Sequence, residues 1–287
     1  MPELPEVEVV KKSLSRNITN FIIKKITINN GNLRYKIKKK FFHKIIDQKV
    51  VFIARRSKYI LIELDNKKTI LVHLGMTGKF FFEKKKVLKK MSFYHNLKRL
   101  NKHDHFILEF HDGSRLIYND VRRFGFIKVF DKKDIKLCNH IKILGPEPLS
   151  KKFDYKYLYQ ISSKRKKLNV KNLLMSQKVV SGLGNIYVNE ILYFSKILPK
   201  RKSSSLSTLE IRKIVTFTKK VLKKSILYGG SSIRDFKNAE GEKGNFQQEF
   251  AVYGKKDLKC PDKKCPGTIK LSKISNRATY YCAKCQK

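Results

Sequence analysis

The chain has 287 residues, 41% of them hydrophobic, which excludes a wholly disordered protein and leaves room for two or more domains with cores of their own. Lys and Arg number 66 against 23 Asp and Glu, a formal charge of +43 that points to polyanions, and to nucleic acid first. No apolar run of about 18 residues occurs, and acidic residues follow Met1 at once, so neither a membrane span nor a secretory signal is expected and the reading is a cytoplasmic protein.

The first segment, Met1-Pro2-Glu3-Leu4-Pro5-Glu6-Val7-Glu8, supports two readings. Proline suits a first helical turn, and Val7, Val10, Leu14 and Ile18 then recur at helical spacing. Alternatively, removal of Met1 would expose the secondary amine of Pro2. An α-amino group titrates at about 7.7–8.0, so part of the population is an uncharged nucleophile near neutral pH. The Glu3 carboxylate beside it could move protons.

Residues 21–130 read as short strands: Phe21–Ile28, Val50–Ala54, Ile60–Leu64, Thr69–His73, His105–Phe110 and Phe126–Phe130. A sandwich or barrel is the natural packing for them. Residues 83–102 are lysine-rich and read as a long exposed loop. His73-Leu74-Gly75-Met76-Thr77-Gly78 closes a strand in a glycine turn, and Asn119-Asp120-Val121-Arg122-Arg123-Phe124-Gly125 sets two arginines beside an aromatic on a turn. Apolar wedges that fill a gap in a DNA stack use such chemistry. Lys102-His103-Asp104-His105 fits phosphate contact or strand-edge packing better than metal binding, because no third ligand is evident.

Leu144-Gly145-Pro146-Glu147-Pro148-Leu149 is a stiff break, and the pattern beyond it is helical. Gly182-Leu183-Gly184-Asn185 suits a turn that leaves backbone N–H groups free for phosphate, or a packing turn between helices. Ser207-Thr208-Leu209-Glu210 is a capping box, and Gly229-Gly230 stops the helix that follows. Residues 230–249 read as a loop.

Four of the five cysteines fall at 260, 265, 282 and 285, with four residues inside the first pair, two inside the second and sixteen between the pairs. Two short pairs at the ends of a hairpin make the four-sulfur cage of a structural zinc. Strands are expected at Thr268–Leu271 and Ala278–Cys282. So small a unit has little core, and metal binding would supply its folding energy. Arg277 on this hairpin offers a guanidinium to phosphate or base.

Taken in order, these segments resemble formamidopyrimidine-DNA glycosylase, the bacterial enzyme family that removes oxidised purines. The resemblance rests on Pro-Glu-Leu-Pro-Glu-Val-Glu, Lys58-Tyr59, His-Leu-Gly-Met-Thr-Gly, Lys-His-Asp-His, Arg-Arg-Phe-Gly, Gly-Pro-Glu-Pro-Leu, Gly-Leu-Gly-Asn-Ile-Tyr, Tyr253-Gly254-Lys255 and Arg277-Ala278-Thr279-Tyr280-Tyr281-Cys282. It implies an α+β multidomain fold: an N-terminal β-sandwich with flanking helices (1–133), a linker (134–150), a helix–two-turns–helix domain with a lesion-capping loop at 239–246 (151–250), and a zinc finger (251–287), with DNA in the cleft between domains.

The resemblance also implies roles. Pro2 attacks C1′ of the damaged nucleotide, Glu3 protonates the opening sugar, Lys58 serves β-elimination and Arg277 δ-elimination. His73, Asn185 and Lys171 bind phosphates around the lesion. His103, Arg122 and Lys166 or Lys167 make further DNA contacts. Met76, Arg122 and Phe124 fill the gap left by the flipped base. One structural Zn2+ sits on Cys260, Cys265, Cys282 and Cys285, and the partner is double-stranded DNA carrying oxidised purines, acted on by a nucleoid-associated monomer. Three rivals fit less well. The endonuclease VIII-like enzymes, which prefer oxidised pyrimidines, commonly carry Gly where Leu4 stands. A non-catalytic zinc-finger protein gives no reason for the Pro-Glu start, and N-terminal-proline tautomerases are small and need no finger. The wider first cysteine pair, Val121 in place of a common proline, and an extra residue near Lys164–Lys167 depart from the family pattern.

Overall fold

The computed structural model describes residues 1–84, 87–90, 100–231 and 249–287. The expected capping loop at 239–246 lies outside them. Residues 1–142 with 226–231 form one compact unit, and 143–225 with 249–287 form another.

The first unit opens with helix α1 (Leu4–Ile18). Val7, Val10, Leu14 and Ile18 are all buried, so the periodicity seen in the sequence is its core-facing stripe. Next come strand β1 (Ile23–Ile28), the single turn α2 (Lys39–Phe42), β2 (Val50–Arg56), β3 (Tyr59–Leu64), β4 (Lys68–His73), β5 (Lys79–Lys84), β6 (Val87–Lys90), β7 (Asp104–Phe110), β8 (Arg115–Asn119) and β9 (Phe126–Asp131). They form two antiparallel sheets, ordered β1-β7-β8-β5-β6 and β2-β3-β4-β9. Ile53, Ile60, Ile62, Ile70 and Val72 of one sheet share a core with Phe80, Phe82, Phe106, Leu108 and Leu116 of the other and with α1. This is the β-sandwich that alternating inward residues require.

Two sequence expectations change. The stretch 83–102 is not one loop: β5 runs to Lys84, β6 pairs with it through Phe81↔Lys90 to Lys84↔Val87, and a 3-10 turn occupies Asn101–His103. Lysine is depleted in strands, so the lysines of this stretch hide the strand from a propensity reading. The first unit also runs past residue 133. Ile135, Cys138 and Ile141 pack on Leu61, Leu71 and Phe126, and the short helix α3 (Asn139–Lys142) closes this patch.

The second unit holds α4 (Tyr155–Lys164), α5 (Val170–Met175), α6 (Asn185–Phe194) and most of α7 (Thr208–Leu227). Asp154 and Asn169 cap α4 and α5, accepting N–H groups of Tyr157 and Asn172 at 2.8 Å each. The expected capping box heads α7: Ser207 N donates to Glu210 Oε2 (2.8 Å) and Glu210 N to Ser207 Oγ (3.3 Å). Gly229 and Gly230, at φ +77° and +86°, end it. Finally β10 (Ile269–Ile274) and β11 (Arg277–Cys282) pair as a hairpin. Its two turn residues, Ser275 and Asn276, both have positive φ (48° and 57°), as a two-residue turn that follows the strand twist needs. Among the described residues no helix is long and apolar enough to cross a membrane.

Candidate active site and cysteine centre

The chain start sits at the head of α1. Pro2 is buried, and Glu3 is 3% exposed. The Glu3 N–H donates to Glu6 Oε2 at 2.8 Å, so Glu6 folds back on the helix start. Glu6 Oε1 accepts both the N–H and the hydroxyl of Ser231, at 2.8 Å each. Close approach of the chain there needs a glycine: a Cβ at Gly230 would lie 3.3 Å from Glu6 Oε1, at a φ of +86°. The helix-start reading and the amine reading of this segment are therefore compatible.

The terminal amine is carried by Met1, one residue before the Pro2 nitrogen, which is a tertiary amide while Met1 is present. Burial lowers that amine's pKa from its ordinary value, against the pull of Glu3 and Glu6, with Lys58 and Arg122 adding to the fall. Lys58 is buried in the two-residue turn joining β2 and β3. Ser57 takes φ 58° to make this turn, and its carbonyl accepts Arg55 Nη1–H at 2.9 Å. The same guanidinium donates through Nε to Glu8 on α1 (2.7 Å), which ties the Lys58 turn to the helix that carries Pro2 and Glu3.

His73 ends β4. Its Nδ1 accepts the Gly75 N–H at 3.1 Å, so the neutral ring carries its proton on Nε2. Burial first, then Lys58, Arg34 and His140, pushes its pKa down to about 4. At neutral pH the ring is a neutral hydrogen-bond donor, stacked on Phe126 with centroids 5.6 Å apart. A cavity of about 740 Å3 unites much of this: Met1, His73, Met76, Arg122 and Phe124 line it, together with Asn32, Arg34, Gly75 and Arg123. Asn32 and Arg34 have no motif of their own in the sequence. The Asn-Asn-Gly-Asn turn at 29–32 is their one signal, and the Arg34 N–H is held by the Gly125 carbonyl (3.1 Å). His103 ends the 3-10 turn that leads into β7, where burial and Lys102 lower its pKa. Its neighbours pack the strand edge. Asp104 accepts from Asn119 Nδ2 (2.7 Å), and His105 Nε2 meets the Asp120 carbonyl at 2.8 Å.

In the second unit, Arg277 is exposed where the hairpin turns into β11. Three residues brace that strand. Lys171 Nζ donates to the Ala278 carbonyl (3.0 Å) and to Thr279 Oγ1 (2.7 Å). Asn185 Nδ2 donates to the same carbonyl (2.9 Å), and Asn189 Oδ1 accepts the Tyr280 N–H (2.8 Å). Lys171 is fully buried, and burial with Arg277 nearby lowers its pKa to about 8. Lys171 and Asn185, both expected to bind phosphate, thus also meet on the strand that carries Arg277. Gln177, unremarked in the sequence, shapes the glycine turn, since its Oε1 accepts Gly182 N–H (2.8 Å) and its Nε2 donates to the Leu183 carbonyl (2.7 Å). Lys166 and Lys167 are exposed in the turn after α4.

Cys260, Cys265, Cys282 and Cys285 converge, with all four sulfurs within 4.8 Å of one another. The Cys260–Cys285 and Cys265–Cys282 separations are 3.5 and 3.7 Å. A tetrahedral ion with sulfur at about 2.3 Å requires sulfurs about 3.8 Å apart, so the cluster can hold a metal ion. Gly267 N lies 3.4 Å from Cys265 Sγ, and a Cβ at Gly267 would come within 2.8 Å of Cys282 Sγ. The four-residue spacing of the first pair therefore still closes the site.

Two family models match the chain: the formamidopyrimidine-DNA glycosylase N-terminal domain over residues 1–127 and the formamidopyrimidine-DNA glycosylase H2TH domain over residues 144–237. Among curated proteins the chain is similar to the formamidopyrimidine-DNA glycosylases of Roseobacter denitrificans, at 38% identity over 287 residues, and Rickettsia bellii, at 36%, each over the whole of both chains. Among solved structures it is similar to a mutant of the Lactococcus lactis FPG in complex with Fapy-dG containing DNA (TM-score 0.87, 32% identity, 100% of both chains). It is also similar to Lactococcus lactis Fpg with abasic site containing DNA (TM-score 0.85, 31% identity, 99% of both chains).

Because the His73 pKa of about 4 in the folded state lies below the ordinary 6.5, the residue contributes stability that is complete above pH 6.5 and is lost as pH falls through about 4. Nitrogen NMR of the histidine rings should show one ring protonated on Nε2 and uncharged down to about pH 5; a ring at this position that titrates near 6.5 would contradict the assignment.

Proposed function

The chain belongs to the formamidopyrimidine-DNA glycosylase family, and we propose that it excises oxidised purines from duplex DNA and then cuts the strand by β,δ-elimination, with Pro2 as nucleophile. The observation that carries this reading is the convergence on one cavity of the chain start, a neutral His73 and the Met76, Arg122 and Phe124 side chains. After removal of Met1, the Pro2 nitrogen attacks C1′ of the lesion. The bond to the base breaks, the base departs, and an iminium joins protein to sugar. The buried surroundings and nearby Lys58 favour the neutral, nucleophilic form of an amine at this end. Glu3 delivers the proton that opens the sugar, and Lys58 and Arg277 assist the two eliminations.

A glycosylase reaches C1′ by extruding the nucleotide from the stack, the general case for this class of enzyme. His73 Nε2–H and Asn185 suit phosphates around the lesion, and Lys166, Lys167 and His103 suit phosphates further along. Phosphate contacts of this kind position the duplex without reading its sequence. Residues 1–133 would carry the chemistry, 151–250 the helical DNA grip and 251–287 the finger that offers Arg277. The four cysteines would hold one Zn2+. With four thiolates the ion has no open position, so it supplies folding energy to the finger and takes no part in bond breaking. The chain acts as a monomer in this reading.

Purified protein should contain about one zinc per chain, removable only with loss of the finger's fold; a folded, metal-free finger would refute the metal assignment. Incubation with a duplex containing 8-oxoguanine should leave strands with phosphate on both sides of a one-nucleotide gap, faster than with a duplex containing an oxidised pyrimidine. An intact purine-lesion strand would overturn the function, and preference for the pyrimidine would shift it to the endonuclease VIII-like class.

A further inference from the structure

The three expected gap-filling side chains come from two separate turns. Met76 lies on the turn between β4 and β5, and Arg122 and Phe124 lie on the turn between β8 and β9; all three are exposed. The Arg122 guanidinium rests 4.5 Å from the centre of the Phe124 ring. Beneath them sits Asp120, which is fully buried.

The Asp120 carboxylate joins the two turns. Its Oδ1 accepts the Thr77 hydroxyl at 2.5 Å, reaching across to the Met76 turn. Its Oδ2 accepts the Gly125 N–H at 2.8 Å and the Tyr118 hydroxyl at 3.3 Å, closing its own turn. Thr77 Oγ1 in turn accepts the Arg122 N–H at 3.0 Å. The backbones touch as well. A Cβ at Gly75 would lie 2.4 Å from Gly125 N, and one at Gly125 would lie 1.8 Å from the Tyr118 hydroxyl oxygen. Asp120 is itself fixed to the head of β7: its N–H donates to the His103 carbonyl (3.0 Å), and its own carbonyl meets His105 Nε2 at 2.8 Å.

We propose that Asp120, acting through Thr77, is a positioning residue that locks Met76, Arg122 and Phe124 into a single wedge before DNA arrives. The proposal rests on the base-extruding function above. Three side chains must enter one gap together. If the two turns were independent, ordering them would be charged against binding and extrusion. A buried carboxylate is suited to the joint, because it accepts several donors at once and its hydrogen bonds are stronger than neutral ones. Asp120 is fully buried, so it acts through the side chains above it.

Thr77→Val keeps the shape of the side chain but removes the hydroxyl that links Asp120 Oδ1 to the Arg122 N–H, while the bonds to Gly125 and Tyr118 stay. Thr77→Ser restores the hydroxyl. Asp120→Asn is a second variant, since its amide can accept from Gly125 or from Thr77 but not both. Each is assayed in the full chain by single-turnover excision from an 8-oxoguanine duplex with 2-aminopurine beside the opposite base, whose fluorescence reports wedge insertion. Affinity for undamaged duplex and melting temperature are measured in parallel. The expected result for Thr77→Val and Asp120→Asn is excision slowed by about tenfold or more, the scale of one charged hydrogen bond, with a matching loss of the fluorescence change. Undamaged-duplex affinity stays within about twofold, and Thr77→Ser recovers both signals. A Thr77→Val protein indistinguishable from wild type overturns the proposal. So does a loss of excision matched by equal losses of undamaged-duplex affinity and melting temperature, which marks a merely structural role. If the wild-type chain neither excises nor shifts the fluorescence, the proposed function falls and takes this inference with it.

Discussion

The placement of the chain end depends on one buried carboxylate. Glu6 is 1% exposed and accepts the Glu3 N–H on one oxygen and the Ser231 N–H and hydroxyl on the other. Without it, three buried donors would lose their acceptor, a penalty of about 1–3 kcal/mol for each group left unpaired. The interaction joins the first turn of α1 to the chain that emerges from α7 through Gly229 and Gly230. A flexible chain end cannot hold a nucleophile at a fixed distance from anything. Glu6 gives the first residues a fixed floor, and Arg55, bonded to both Glu8 and the Ser57 carbonyl, fixes the Lys58 turn against the same helix.

Around this floor the electrostatics act on titrating groups in the same sense as the bulk charge, by disfavouring a further proton. The chain carries +43 overall, and His73 stays uncharged because it is buried and lies beside the cations Lys58 and Arg34. A positive field brings a polyanion to the surface. At the cavity itself, burial first and the neighbouring cations second keep the His73 imidazole neutral, the form that donates a directed hydrogen bond, and they lower the pKa of the terminal amine in the same sense. The same logic shapes the second unit. Lys171 is buried with its ammonium bonded to Ala278 and Thr279, while Arg277, like Lys270 and Lys273 of the same hairpin, is exposed.

Much of this was legible in the sequence, for identifiable reasons. The stripe of α1, the capping box at Ser207 and the helix stop at Gly229-Gly230 are local patterns, and local patterns survive without tertiary information. The four cysteines were legible because ligand spacing is itself local, even with the first pair widened. What escaped was decided at long range. β5 begins Lys79-Phe80-Phe81-Phe82, apolar on both faces, so no alternation marks it, although all three phenylalanines are buried. The lysines of 87–90 hid an edge strand. The role of Glu6 carried no signal in the sequence because its partner Ser231 lies 225 positions away. The bonds of Lys171 to Ala278 and Thr279 were not legible either, because a motif fixes a position in the chain, whereas the direction of a side chain depends on what packs over it. Asp120 shows the same limit: its partner Thr77 lies 43 residues earlier and carries no signal in the linear chain.

The central claim is that a chain end held by Glu6 presents the Pro2 nitrogen as the nucleophile. Borohydride reduction in the presence of an 8-oxoguanine duplex, followed by mass spectrometry of the digested adduct, tests it most directly. The account predicts a covalent protein–DNA adduct whose sugar remnant sits on the N-terminal peptide, starting at Pro2 with Met1 absent. An adduct mapped to Lys58 or any other lysine, or no adduct from a preparation that still excises the base, would contradict it.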